Sequence, residues 1–225
     1  VSLFVTGTDT GVGKTHTVIQ LLRILRAAGK TCAGFKPICC GDRQDAELLL
    51  RASDERFTID EINPLWLKTP LAPLAAALAE KVKIDIDHLI TSFETLQKRV
   101  EHVLVEGVGG WMVPIRRDYF VSDLAAALKL PVLIVAQNRL GCLNHTALTV
   151  RSVAAHNLGC VGVALNTPPE ANDIAATTNA DILREILDVP VLPGLTEKMP
   201  ELPSAWGQIF DSTLRHSVSR KQTQV

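Results

Sequence analysis

Short apolar runs alternate along the chain with stretches whose apolar residues return every three or four positions. Leu3-Phe4-Val5 is the first run and reads as a buried strand. Val18, Leu21, Leu22 and Leu25 then fall on one face of a helix. Thr31 to Lys36 is the next strand, with a turn at Pro37, and Gln44 to Ala52 is predicted helical. Asn63 to Pro73 is interrupted by prolines and reads as a loop leading into an Ala-rich helix from Leu74 to Glu80. Leu89, Phe93, Leu96 and Val100 mark another helical face. His102 to Glu106 is a strand with a carboxylate at its end. Ser122 is the expected N-cap of a short helix over Asp123 to Leu128. Pro131 to Val135 reads as a strand, Asn144 to His156 as a helix, and Cys160 to Leu165 as a strand ending at Asn166. A helix near Asp173 to Leu187, a strand from Val189 to Leu192 and a helix after Pro203 complete the pattern.

Apolar strands that alternate with helices predict an α/β fold, a mostly parallel central sheet with helices on both faces. Ligands of such sheets bind beyond the C-terminal strand ends. Gly7 to Thr15, Lys36, Glu106, Gln137 to Asn144 and Asn166 all follow strand ends, so they are expected along one sheet edge.

The stretch Gly7-Thr8-Asp9-Thr10-Gly11-Val12-Gly13-Lys14-Thr15 joins the first strand to the first helix. A glycine-rich turn ending in Gly-Lys-Thr at a helix start is a phosphate cradle, because backbone N–H groups there face anionic oxygens. Lys14 can reach a terminal phosphate and the Thr15 hydroxyl can ligate Mg²⁺. The fold expected is therefore P-loop NTPase-like. The usual spacing G-x-x-x-x-G-K-[ST] needs a glycine at position 8, where Thr8 stands, so this loop is one residue longer.

Composition narrows the field. The 225 residues, 47% of them hydrophobic, suit one α/β domain over residues 1–216, with residues 217–225 a disordered polar tail. A net charge of −1 leaves no global field for nucleic acid or an anionic membrane, and no apolar stretch reaches a membrane-spanning length. The chain enters a strand at once, so no signal peptide is expected. Five cysteines, an odd count without C-x-x-C spacing, read as free thiols in a reducing cytoplasm. The histidines show no metal-ligand spacing.

Mg²⁺ beside the Thr15 hydroxyl calls for further hard oxygen ligands. Glu106, delivered by a Val/Leu strand, is the leading candidate, against a solvated carboxylate before the turn Gly107-Val108-Gly109-Gly110. Asp45 is either a ligand or an ordinary helix-start residue. Lys36, stiffened by Pro37, can hold a second anion or a transferring phosphoryl group, or be a surface lysine. Asn166 can read an adenine edge by its amide, or serve turn geometry alone. Gly141 to His145 opens a helix whose free N–H groups suit a carboxylate; His145 itself reads as structural. Cys39-Cys40 reads as two small side chains beside a binding loop, not a redox pair.

Together these residues resemble the dethiobiotin synthetase family, P-loop enzymes of biotin synthesis. The likeness runs from Phe4 to about Leu195 and rests on Thr6 to Thr15, Gly34-Phe35-Lys36-Pro37, Glu106 to Trp111 and Leu140 to His145. The longer phosphate loop is a trait of that family, and Pro70-Leu71-Ala72-Pro73 is similar to its Pro-rich substrate loop. The resemblance implies ATP and Mg²⁺ as cofactors, with 7,8-diaminononanoate and CO₂ or bicarbonate as partners. A carbamate forms on one amine and attacks the γ-phosphate. The second amine then closes the resulting carbamic-phosphoric anhydride into a cyclic urea. Lys36, Lys14 and Thr10 match catalytic positions. Thr15, Asp45 and Glu106 match the metal ligands. Gly11, Val12, Gly13, Lys14, Thr15, His16, Gly107, Val108, Gly109, Asn166 and Thr167 match nucleotide-binding positions. Lys36, Cys40, Pro73, Gly141, Cys142, Leu143 and Asn144 match substrate positions, the last four reaching in from a neighbouring subunit of a homodimer. Cys40 stands where some members carry serine, and Pro193-Gly194-Leu195-Thr196 where the family often has Gly-x-Ile-Pro. The alternatives are a P-loop ATPase switch, which would carry a signature lysine near positions 8 to 9 where Thr8 and Asp9 stand, or an ATP-binding member without synthetase activity.

Overall fold

The structure, a computed structural model, describes residues 2–53, 56–167, 173–197, 199 and 203–207. The predicted tail 217–225 lies outside them. The apolar runs become parallel strands: β1 (Leu3–Gly7), β2 (Cys32–Phe35), β5 (His102–Glu106), β8 (Val132–Gln137), β9 (Cys160–Asn166) and β10 (Val191–Pro193). They form a six-stranded sheet in the order β10-β9-β8-β1-β5-β2, parallel throughout. Every residue of β1, β2 and β5 is buried, as expected for a sheet covered on both faces. The buried side chains form one cluster that includes Phe4, Leu21, Leu49, Leu104 and Leu133. Truncating one such leucine to alanine costs about 2–5 kcal/mol.

Helix α1 (Lys14–Ala27) buries Val18, Leu21, Leu22 and Leu25, the face its spacing predicts. Helix α2 spans Gln44–Ala52, matching the sequence reading to the residue, with Asp45 and Glu47 in its first turn opposing the positive end of the helix dipole. Ser53 ends it and ties it to β2: its hydroxyl accepts from Gly34 N at 2.8 Å and donates to Leu49 O at 2.7 Å. Helix α3 (Ile59–Ile62) starts in a Thr58/Glu61 capping box. Helices α4 (Pro73–Glu80), α5 (Ile86–Gln97), α6 (Val121–Leu128), α7 (Cys142–Ala155) and α8 (Asn179–Ile186) follow.

Four local expectations are corrected. Residues 63–73 are not all loop: β4 (Leu65–Leu67) pairs in parallel with β3 (Ile38–Cys40). The buried Asn63 amide causes this, donating to Lys36 O at 2.8 Å and Leu65 O at 2.9 Å and so drawing the two segments together. Ser122 is not an N-cap. The helix starts at Val121, because the Asp123 carboxylate accepts from Phe120 N at 2.7 Å. The helix predicted near 173–187 is broken into a 3₁₀ turn, Ile174–Thr177, and α8, with Asp173 capping the first through Ala175 N at 2.9 Å. Helix α5 ends at Gln97, so Val100 lies beyond it. A short hairpin, β6 (Pro114–Arg116) with β7 (Tyr119–Phe120), was unmarked by the sequence pattern. Residues 204–207 are helical, and the indole of Trp206 is fully buried.

Candidate functional site

The strand-end rule holds at atomic scale on the flank of β1, β5 and β2. Lys14, Thr15, Lys36, Asp45 and Glu106 come from α1, the residue after β2, α2 and the end of β5, and their polar atoms converge. Lys36 Nζ donates to Glu106 Oε1 at 2.5 Å and Asp45 Oδ2 at 2.9 Å. Thr15 Oγ1 lies 3.0 Å from Asp45 Oδ1 and 2.8 Å from Glu106 Oε1. A hydroxyl has one proton, so it can serve only one of those carboxylates at a time. Glu106 is 1% exposed, and its Oε2 has no hydrogen-bond partner. Three oxygen donors with too few protons among them suit a hard cation, which would meet Oε2 or replace the missing proton. Among the described residues no group of three or more His, Cys, Asp or Glu is placed to hold a metal alone. Any such ion needs oxygens from a ligand or water as well, as Mg²⁺ in phosphate sites does.

Charge in this cluster is tuned by burial. Burial alone would lower Lys36, but Glu106 and Asp45 outweigh it and hold the ammonium above its ordinary range. Burial would raise Asp45, but Lys36 and Thr15 hold it below the usual carboxylate range. Lys14 has no comparable rescue: burial first, then the charge of Lys36, pushes it down to about 8. Its ammonium donates to Asp9 O at 3.0 Å, within the phosphate loop itself.

The loop positions are set by backbone geometry. Gly11 and Gly13 have φ of 74° and 95°. Gly13 is required twice over, since a Cβ there would also meet the Asn166 amide nitrogen at 2.4 Å. Thr10 N donates to the Asp9 carboxylate at 2.7 Å, leaving Thr10 exposed at the loop tip. Gly107 packs beside Phe4 and Val121, with Val108 half-buried after it, and Gly109 lies against Val113 and close to the Thr10 hydroxyl.

Beside the loop lies a cleft of about 710 Å³, lined by Gly11, Val12, Gly13, His16 and, opposite them, Asn166, Thr167 and residues 193–197. Asn166 Nδ2 donates to Val12 O at 2.9 Å, so its side-chain amide is fixed against the phosphate loop. The far wall is pinned in three places. Gly194 N donates to Leu165 O at 3.0 Å, the Trp206 indole donates to Pro193 O at 3.1 Å, and His16 Nε2 lies 2.8 Å from Leu195 O. Gly194 lies close against Asn166, since a Cβ there would come within 2.6 Å of Asn166 Oδ1.

The substrate-type positions fall in two groups. Cys40 ends β3 and Pro73 opens α4, which packs against β3, β4 and β6. Burial pushes the Cys39 thiol up to about 12 and the Cys40 thiol up to about 11, which disfavours reactive thiolates. Gly141, Cys142, Leu143 and Asn144 form the start of α7, with Gly141 at φ 89° as N-cap. That helix follows β8. In the sheet order β1 and β5 stand between β8 and β2, so Lys36 and the start of α7 are separated by three strand spacings, about 14 Å. Arg139 bridges part of the gap, 3.9 Å from Asp9.

Sequence reasoning assigned no role to Asn138, Arg139 or Asn179. The first two lie in the stretch 137–144 that the strand-end rule marks, but no spacing ties them to Asp9 or Asn179. A smaller hollow of about 420 Å³, lined by Asp60, Glu61, His88 and Arg99 among others, lies apart from all these groups.

Known proteins resemble this chain in sequence and in fold. The AAA domain family model matches residues 1–204. The ATP-dependent dethiobiotin synthetase BioD of Akkermansia muciniphila is 44% identical over 191 residues, spanning 85% of this chain and 90% of that protein. The protein of the same name from Thermodesulfovibrio yellowstonii is 39% identical over 213 residues, spanning 86% and 89%. Among solved structures, chloroplast FtsY from Physcomitrella patens aligns with a TM-score of 0.53 at 17% identity, over 93% of this chain and 64% of that chain. The septum site-determining protein MinD complexed with Mg-ADP from Pyrococcus horikoshii aligns with a TM-score of 0.54 at 16% identity, over 85% and 80%. Those two likenesses concern the fold, which is that of the P-loop NTPases.

Proposed function

The chain belongs to the ATP-dependent dethiobiotin synthetase family, and from that membership we propose that it converts 7,8-diaminononanoate, CO₂ and ATP into dethiobiotin, ADP and phosphate. The observation that carries the site assignment is the convergence of Lys14, Thr15, Lys36, Asp45 and Glu106 at one sheet edge. ATP lies with its nucleoside in the cleft beside Asn166 and its phosphates in the loop from Gly11 to Thr15, while Gly107 to Gly109 close the other side. Thr15, Asp45 and Glu106 would hold Mg²⁺, which supplies charge neutralisation for the phosphate oxygens.

One amine of the diamine takes up CO₂ as a carbamate. A carbamate oxygen forms a bond to the γ-phosphorus as the bond to ADP breaks. The second amine then attacks the carbamoyl carbon, phosphate leaves and the cyclic urea is complete. Phosphoryl transfer of this kind needs positioning and charge stabilisation more than a protein nucleophile. Lys36, held protonated, acts as a cation between carbamate and γ-phosphate, not as a base. Lys14 follows the transferring phosphoryl group, and Thr10 at the loop tip stands beside it. Burial of Lys14, which Glu106, Asp45 and Asp9 only partly offset, favours a further anion beside it, which ATP provides.

The diamine lies against Cys40 and Pro73, and its distant carboxylate takes the N–H groups of Gly141 to Asn144 from the partner subunit of a homodimer. The roughly 14 Å separation within one chain supports that sharing, as do the exposed Leu140 and Leu148 around the start of α7. The place of action is the cytoplasm. This accords with the five free cysteines, and no helix among the described residues is long and apolar enough to cross a membrane. Mass-spectrometric detection of dethiobiotin from the diamine, bicarbonate and Mg-ATP tests the function. No product above the no-ATP control would refute it.

A further inference from the structure

Asn138 follows β8 and Asn179 opens α8; they are 5% and 3% exposed. A buried amide is retained only where its polar atoms find partners, and both do. Asn138 Nδ2 donates to Thr167 Oγ1 at 3.1 Å and to Ala176 O at 3.0 Å. Its Oδ1 accepts from Asn179 Nδ2 at 2.9 Å, and the same Asn179 nitrogen lies 3.2 Å from Arg139 O. The backbone continues the pattern, with Asn138 N donating to Asn166 O at 2.7 Å. Asn138 thus grips Asn166 by main chain and Thr167 by side chain, and is itself held from behind by α8.

We propose that Asn138, backed by Asn179, is the positioning residue that fixes the Asn166–Thr167 turn and so sets the affinity and base preference of the nucleotide cleft. This rests on the reading of that cleft given above. Asn166 can present its amide to a base only while its Nδ2 stays on Val12 O and its Oδ1 stays beside Gly194. Both distances depend on where β9 ends, and there the Asn138 side chain adds a tie to Thr167 and Ala176 beyond the backbone ladder that pairs Gln137 with Asn166. Removing the Asn138 amide takes one of two acceptors from Asn179 Nδ2, which keeps Arg139 O, and removes the side-chain tie to Thr167 Oγ1 and Ala176 O, so the turn drifts relative to the phosphate loop. The phosphate contacts, made by the loop itself, are untouched.

The test is nucleotide binding to the full chain with Mg²⁺ and no diamine, using ATP and GTP, for Asn138→Ala, Asn179→Ala and the double variant. Asn138→Ala is expected to weaken ATP about tenfold and to shrink the ATP-over-GTP affinity ratio at least about threefold. Turnover at saturating ATP stays within about twofold of wild type, because the missing interaction serves ground-state binding and transition state alike. Asn179→Ala moves both quantities the same way by less, and the double variant is no worse than Asn138→Ala, since one network is removed only once. A simple loss of stability would not move the affinity ratio. Unchanged ATP affinity and ratio in folded Asn138→Ala, or in Asn179→Ala should the first not fold, overturns the proposal. Asn166→Ala separates the role of the cleft from the role of Asn138. If it leaves the ratio unchanged, the reading of the cleft fails and the proposal with it. If it moves the ratio while Asn138→Ala does not, the positioning role alone fails.

Discussion

The Lys36 ammonium donates to Glu106 Oε1 at 2.5 Å, and the two side chains are 4% and 1% exposed. A buried ion pair of this kind holds its members in place, and removing one partner strands the other. On the proposed mechanism Lys36 is needed for the transfer and not for holding the nucleotide. Lys36→Ala is therefore expected to cut turnover by about 10²–10³-fold. ATP affinity, measured by calorimetry with Mg²⁺, should change by less than about fivefold. Near wild-type turnover would remove Lys36 from the mechanism.

Glu106 and Asp45 share the Thr15 hydroxyl as well as Lys36. If they are Mg²⁺ ligands, Glu106→Gln and Asp45→Asn each raise the Mg²⁺ concentration for half-maximal activity, by about tenfold or more. Glu106→Gln has the larger effect, because its carboxylate is fully buried while Asp45 is half-exposed on its side chain. Superimposable Mg²⁺ titrations would contradict ligation.

Lys14 imposes a cost on the empty protein. Its ordinary value of 10.5 drops to about 8 on folding, through burial and then Lys36. Between those values the unfolded chain holds the proton and the folded chain does not. Stability from this group therefore rises as pH climbs from about 8 towards 10.5, and the full penalty is present below pH 8. Lys14→Met should raise the Tm of the nucleotide-free protein at pH 7, by about 2–4 °C per kcal/mol relieved. The gap between variant and wild type should narrow above pH 8, and the variant should not turn over ATP. A Tm equal to or below wild type at pH 7 would count against the buried charge.

Cys40 has its thiol pushed up from 9.0 to about 11 by burial. At pH 8 that leaves about one hundredth of the thiolate an ordinary cysteine would carry. Iodoacetamide should label Cys40 in the native protein at least about a hundredfold more slowly than in the urea-unfolded chain, with the native rate climbing through pH 10. Rapid native labelling at pH 8 would mean a more open β3–β4 unit than the structure has.

The sequence carried the long elements and missed those that depend on a distant partner. β5 and α2 were legible to the residue because a run of buried Val and Leu, or an amphipathic period with acidic residues at its start, is a local property. β3 and β4 were not, since three-residue strands have no measurable period and exist through Asn63, a buried amide that joins Lys36 to Leu65. The start of α6 slipped because Ser122 and Asp123 both have capping side chains, and packing gave the Phe120 N–H to Asp123. For the site, the strand-end rule picked out Lys36 and Glu106, and the structure adds their mutual contact. It could not foresee the Asn138–Asn179 pair or His16 against Leu195, because polar partners separated by 41 and 179 positions leave no pattern along the chain.

On the proposed mechanism, cleavage of ATP by this chain is driven by carbamate formation on the diamine. Phosphate release should be measured with Mg-ATP alone, with bicarbonate, with 7,8-diaminononanoate, and with both. Release should be at least about a hundredfold faster with both than with either alone, since the γ-phosphate has no carbamate acceptor until both are present. Release at the same rate in all four mixtures would contradict that mechanism.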